Sequence, residues 1–208
     1  MKLAVLGGSF NPVHLGHIAL ASSVIKELGY DKIAVVPAYI SPFKRRQALY
    51  KKDLAGALRP SVKDRIKMIE LAIEGNFKFY CEKYEIDKEG VSYTIDTIGY
   101  LYKKFSVPNE ISDKPLTGKI GLIIGDDLAR SFALWKDSDK IIEKTDVIVG
   151  RRGVSGMLSF DFPFIELKNP ILPISSTQIR KAISEEKDFK AFVPPAVYEY
   201  IREHGLYK

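Results

Sequence analysis

The stretch "LAVLGGSFNPVHLGHIALASSVIKELGYDKIAVVP", residues 3–37, decides the architecture. Its first apolar run ends at Gly7-Gly8 and reads as a buried strand. From Leu15 to Leu28 the apolar residues Ile18, Ala21, Val24, Ile25 and Leu28 recur at helical spacing, with Gly29 placed as a C-cap. "KIAVVP", residues 32–37, then reads as a second buried strand, stopped by Pro37. Strand, helix and strand in so short a span make a βαβ unit, so the sheet is expected to be parallel and covered on both faces.

The alternation continues along the chain. Residues 61–75 predict a helix with Ser61 as N-cap and Gly75 as terminator, residues 77–86 a strand, and residues 92–105 a helix opening at Ser92. Residues 119–125, 144–150 and 163–169 predict three more strands. Residues 175–185 and 194–205 predict helices, the first behind capping residues and the second behind Pro194-Pro195. Two stretches, 45–60 and 106–119, break the rhythm and read as mobile or exposed connections. The expected fold class is α/β: a doubly wound, mostly parallel, Rossmann-like sheet in one domain over 1–208, with a C-terminal helical element from about 176 packed on it. In such sheets ligands bind beyond the carboxyl ends of the strands, near the switch in strand order, and that is where the residues after Gly8 must lie.

Composition narrows the function. Of 208 residues, 46% are hydrophobic, enough for one substantial core. The single cysteine, Cys81, excludes an internal disulfide, fits a reducing compartment and reads as a small buried hydrophobe. The apolar run after Met1-Lys2 is too short for a signal sequence or a membrane span, so the reading is a soluble, cytoplasmic protein with no membrane partner. A net charge of +6 suits polyphosphate ligands as well as nucleic acid. The basic residues are spread out, with short clusters at 44–46, 51–52 and 151–152, and carry no nucleic-acid signature with interleaved aromatics.

Residues 7–17, "GGSFNPVHLGH", hold two of the three histidines of the chain. Gly7 and Gly8 let backbone N–H groups approach a ligand, and Pro12 stiffens the turn. The following helix presents free N–H groups and the positive end of its dipole, which favour an anion. His14 and His17, three apart, project to the same side of the helix start, and Gly16 leaves room beside them. A phosphate ester placed there meets N–H donors and two imidazoles. Zinc would need further ligands that His204 and Cys81 hardly supply, so no metal site is assigned. The glycines match neither the dinucleotide fingerprint nor the phosphate loop of nucleoside triphosphatases. A tight turn with incidental histidines is the bland alternative.

The same residues resemble the Ser/Thr-Phe-x-Pro-x-His-x-Gly-His signature of the nucleotidyltransferase superfamily. "ISSTQIR", residues 174–180, is similar to its second signature, Ile-Ser-Ser-Thr-x-Ile-Arg. Between them "SYTIDT" at 92–97, "IIGDDL" at 123–128, "LWKD" at 134–137 and "GRRG" at 150–153, and after them "YIREHGLY" at 200–207, resemble bacterial nicotinate-nucleotide adenylyltransferases over nearly the whole chain. The resemblance implies transfer of the adenylyl group of ATP to nicotinate mononucleotide, with pyrophosphate and deamido-NAD as products.

It also implies roles. Gly7, Gly8, Ser9, Phe10, His14, His17, Ser175, Ser176, Thr177 and Arg180 would bind ATP, with His14, His17, Lys44 and Arg180 acting in catalysis. Thr94, Asp127, Trp135 and Arg151 would bind the acceptor: Trp135 stacking on the ring, backbone N–H groups near Thr94 and Trp135 holding its carboxylate, and Asp127 facing ribose hydroxyls. Mg2+ would arrive with ATP. Partners are thus ATP and nicotinate mononucleotide rather than nucleic acid, and a homo-oligomer is left open. Phe43 stands where the family often has histidine, Asp126 where a small residue is common, and Arg152 where proline is. Arg65 reads as a surface residue and is left outside the site. The rivals are nicotinamide-mononucleotide or pantetheine-phosphate adenylyltransferases and a module that senses ATP without chemistry.

Overall fold

The computed structural model describes residues 1–42, 60–153 and 157–208. The opening stretch forms β1 (Leu3–Gly8), α1 (Leu15–Leu28) and β2 (Lys32–Pro37). Gly29 ends α1 in the left-handed conformation, φ 67°, where its N–H donates to the carbonyl of Ile25. There follow α2 (Val62–Ile73), β3 (Phe79–Cys81), α3 (Tyr84–Lys88), α4 (Thr94–Lys104) and β4 (Ile120–Gly125). After these come α5 (Asp126–Ala129), α6 (Ser138–Lys144), β5 (Thr145–Gly150), β6 (Ile165–Leu167), α7 (Ser176–Ser184) and α8 (Pro195–Glu203).

Among the described residues the strands form one sheet in the order β3-β2-β1-β4-β5-β6, every pairing parallel. The strand order reverses between β1 and β4, which makes that crevice the switch point. The near-continuous apolar strands serve two faces by alternation. Ala4, Leu6, Ile33, Val35, Ile123 and Ile148 enter the core under α1, α2, α7 and α8. Their neighbours Leu3, Val5, Ala34 and Val36 pack under α4, and Leu122, Ile124, Val147 and Val149 pack around Phe132 and Ile141. Helix α1 lies so close to β5 that a Cβ on Gly150 would run into the side chain of Leu20.

Three sequence expectations change. The strand expected over 77–86 is only the edge strand 79–81, because the buried carboxylate of Glu82 accepts from the Tyr84 N–H at 3.1 Å and starts α3. Helix α4 opens at Thr94 rather than Ser92, since the Ser92 hydroxyl accepts instead from the Tyr39 N–H at 3.0 Å. The helices α5 and α6 and the short 3-10 turn Phe132–Leu134 between β4 and β5 were not expected at all. The connection 106–119 is irregular yet fastened: the Thr117 N–H donates to the Met1 carbonyl at 2.9 Å and the terminal ammonium to the Pro115 carbonyl at 2.6 Å.

Candidate active site

The turn after β1 is held from four sides. Phe10 occupies the left-handed region, φ 43°, with its ring buried over Gly8, where a Cβ would lie 3.1 Å from it. A bulky residue persists there only where its surroundings over-determine it. Arg65 donates from Nη1 to the Ser9 carbonyl at 2.9 Å and the Ala38 carbonyl at 2.8 Å. Arg180 Nη1 donates to the Asn11 carbonyl at 2.7 Å, Tyr207 to Asn11 Oδ1 at 2.7 Å, and the Ser176 hydroxyl to the Pro12 carbonyl at 2.9 Å. Arg65 is therefore not the surface residue that its helix position implied: it is buried, and it ties α2 to the ends of β1 and β2.

His14 is the N-cap of α1 in an extended conformation, and His17 lies one turn further along. Their rings stack with centroids 3.6 Å apart, and Phe10 meets His17 edge-on at 5.0 Å. The His14 N–H donates to His17 Nδ1 at 3.2 Å, so in its neutral form His17 carries its proton on Nε2. Neither ring nitrogen of the buried His14 has a hydrogen-bond partner among the described residues. Burial, and then the positive charge of Arg152, hold His14 down at about 4. Burial, His14 and Arg152, in that order, keep His17 well below its ordinary value. At neutral pH both are uncharged donors.

A pH dependence of stability follows, with a definite sign. The folded chain holds His14 at about 4 against an ordinary 6.5, so it binds fewer protons than the unfolded chain. The resulting stability is complete above pH 6.5 and falls as pH drops toward 4, by up to about 1.4 kcal/mol per pH unit per histidine. Urea unfolding should show His14 alone costing about 1.5 kcal/mol between pH 6.5 and 5, with His17 steepening the loss. A flat profile over that window would mean that the imidazoles are not held neutral.

The second signature lies opposite. Ser175 caps α7, accepting from the Gln178 N–H at 3.2 Å, and Ser176 and Thr177 begin the helix, leaving first-turn N–H groups beside the histidines. Arg180 lies one turn along, its Nη2 donating to Thr177 Oγ1 at 3.1 Å. The histidines, Gly7 to Phe10, Ser175 to Thr177 and Arg180 all line one cavity of 1180 Å3. That is more than one small ligand usually fills and leaves room for two nucleotides.

Thr94, Asp127, Trp135 and Arg151 line the same cavity toward its other end. Thr94 begins α4, whose first-turn N–H groups lack intrahelical partners. The backbone N–H of Trp135 itself donates to the Phe132 carbonyl at 2.9 Å. Glu85, unexpected from the sequence, also lines this end. It accepts from the buried Thr97 hydroxyl at 2.6 Å, and burial raises its carboxyl above the usual range. Arg151 is turned to Glu166, with contacts of 2.7 and 2.6 Å, while Asp127 pairs with Arg152 at 3.0 Å. Lys44 lies outside the described residues. Cys81 has its thiol pushed up to about 12 by burial and is no nucleophile. Asn11, Glu85 and Lys136 are among the cavity residues that the sequence did not single out; Arg152, also in the lining, was signalled only by its departure from the family pattern.

The profile of the cytidylyltransferase-like family matches residues 5–182. A protein of Treponema pallidum named a probable nicotinate-nucleotide adenylyltransferase is 37% identical over the whole of both chains. One of the same name from Borrelia garinii is 34% identical over all of this chain and 95% of its own. A solved structure of Plasmodium falciparum nicotinic acid mononucleotide adenylyltransferase, complexed with NaAD, superposes with a TM-score of 0.72. It shares 19% identity over 99% of this chain and 97% of its own, which shows a common fold. Among the described residues no helix is long and apolar enough to cross a membrane.

Proposed function

The chain belongs to the cytidylyltransferase-like family, together with the nicotinate-nucleotide adenylyltransferases, and from that premise we propose that it joins ATP and nicotinate mononucleotide into deamido-NAD and pyrophosphate, a step of NAD biosynthesis. The observation that carries this reading is the pair of stacked, neutral imidazoles that faces the start of α7 across one cavity. The α-phosphorus of ATP lies at the histidines and the β- and γ-phosphates at the N–H groups of Ser176 and Thr177, with Arg180 beside them. The acceptor phosphate attacks in line: its oxygen bonds to the α-phosphorus as the bond to the pyrophosphate oxygen breaks. The nucleophile is already an anion, so no protein nucleophile is needed and catalysis is positioning plus charge stabilisation.

His17 donates from Nε2, and His14 from whichever nitrogen carries its proton, to the oxygens around the reacting phosphorus. Mg2+ bound to the triphosphate supplies further neutralisation. Among the described residues no group of three or more acids, histidines or cysteines could cage a metal, and the chain's own donors, N–H groups and guanidinium, suit phosphate. At the other end the acceptor ring lies by Trp135, with its carboxylate at the start of α4, where the helix dipole favours an anion over a neutral amide. Lys136, standing 4.5 Å from the Tyr93 ring centroid and lining the cavity, adds positive charge to that end.

The test is pyrophosphate release from ATP with Mg2+, comparing three acceptors. Nicotinate mononucleotide should be used at least about 10-fold better, in kcat/KM, than the nicotinamide compound, and phosphopantetheine should not be used. A preference for the amide overturns the substrate; ATP binding without release under any condition leaves only a sensor.

A further inference from the structure

Arg152 is the second residue after β5, and the two consecutive aspartates that follow β4 hold it. Its N–H donates to Asp126 Oδ1 at 3.1 Å, and its Nη1 to Asp127 Oδ2 at 3.0 Å. Between those two bonds its stem crosses Gly125 so closely that a Cβ there would lie 2.7 Å from Arg152 Cδ. Glycine at the strand end is thus what lets the arginine stem pass there and line the cavity. Backbone and head group are both pinned, unlike an ordinary surface arginine. Both histidines also feel its charge.

The charge balance at the reacting centre gives this placement a purpose. Neutral imidazoles contribute N–H groups but no positive charge, while the reaction brings a phosphate anion up to a triphosphate. Arg180 is engaged with the Asn11 carbonyl and the Thr177 hydroxyl. With the acceptor ribose at Asp127 and the reacting oxygen at the histidines, the acceptor phosphate has to span the gap between them. Arg152 is bonded to Asp127 at one edge of that gap and lines the same cavity as both histidines. The Asp127–Arg152 pair has side chains 54% and 39% exposed, and such a pair is cheap to open.

We infer that Arg152 binds the phosphate of the acceptor mononucleotide, exchanging the Asp127 carboxylate for phosphate oxygens and releasing Asp127 to the ribose. This rests on the adenylyl-transfer reading above. Titration calorimetry on the purified chain tests it with three ligands: nicotinate mononucleotide, nicotinate riboside (the same molecule without phosphate) and ATP with Mg2+. Arg152→Ala should weaken the mononucleotide about 10- to 100-fold and leave ATP within about threefold. The riboside should be bound no more weakly than by the unaltered chain, because its partner Asp127 is freed. Arg152→Lys, which keeps the charge but not the fork, should recover part of the loss. Equal losses for mononucleotide and riboside, a loss confined to ATP, no recovery by lysine, or no loss at all would each overturn the assignment. If the unaltered chain fails to release pyrophosphate, the adenylyl-transfer reading falls first; if it turns over normally and Arg152→Ala keeps full mononucleotide affinity, only the role of the arginine falls.

Discussion

His17→Ala is expected to lower kcat about 10²- to 10³-fold while the dissociation constant for ATP changes less than about threefold. The reason lies in the two ends of one ring. Its Nδ1 is occupied by the His14 N–H at 3.2 Å, which leaves Nε2–H as a donor in a fixed direction beside the start of α1. A donor held in place before the reaction stabilises charge that develops only as the phosphorus passes through its transition state, and costs little reorganisation at that moment. Because the ring is neutral, its removal takes away a directed N–H rather than a charge, so ground-state attraction for the ATP polyanion should survive. Single-turnover kinetics alongside equilibrium ATP binding separates the two. Equal losses in rate and affinity would mean that His17 only helps to bind ATP.

Arg180→Ala should reduce kcat/KM for ATP about 10- to 150-fold, corresponding to roughly 1.5–3 kcal/mol for hydrogen bonds made by a charged group. The guanidinium spans the cavity floor, donating to the Asn11 carbonyl at 2.7 Å and the Thr177 hydroxyl at 3.1 Å. It therefore joins the two signature motifs as well as supplying a cation for pyrophosphate. Arg180→Lys should recover little, because a single ammonium cannot reproduce the planar fork that meets both partners and a phosphate. Steady-state kinetics with varied ATP checks this. A lysine variant as active as the unaltered chain would show that charge alone matters.

The parallel sheet was legible because its strands are uniform. "LAVLGG", "KIAVVP" and "IGLIIG" are apolar on both faces, and the helices between them carry clear periods and caps such as Ser61, Gly29 and Ser175. The short elements were not legible. Helix α3 starts on a local bond from the Tyr84 N–H to Glu82, whose carboxylate is held in place by Lys104, 22 residues away, and α5 and α6 are four and seven residues long, too short for a hydrophobic period to emerge. At the site, motif spacing brought out the histidines and the start of α7, since their roles depend on local sequence. The buried Arg65 escaped because its partners, the carbonyls of Ser9 and Ala38, lie 56 and 27 residues away. The pairing of Arg152 with Asp127, 25 residues apart, escaped for the same reason. A sequence records a side chain's type but not which distant carbonyl or carboxylate awaits it.

The bond from Tyr207 to Asn11 spans 196 residues. During translation the β1 turn thus emerges early and must wait for its last clasp. At about 5–20 residues per second, that wait is roughly 10–40 s on the ribosome. Throughout it, β1, β2 and α1 can already be packed while the loop that carries both imidazoles is still missing one of its fastenings. A nascent chain released before residue 207 would therefore carry a β1 turn that lacks this fastening.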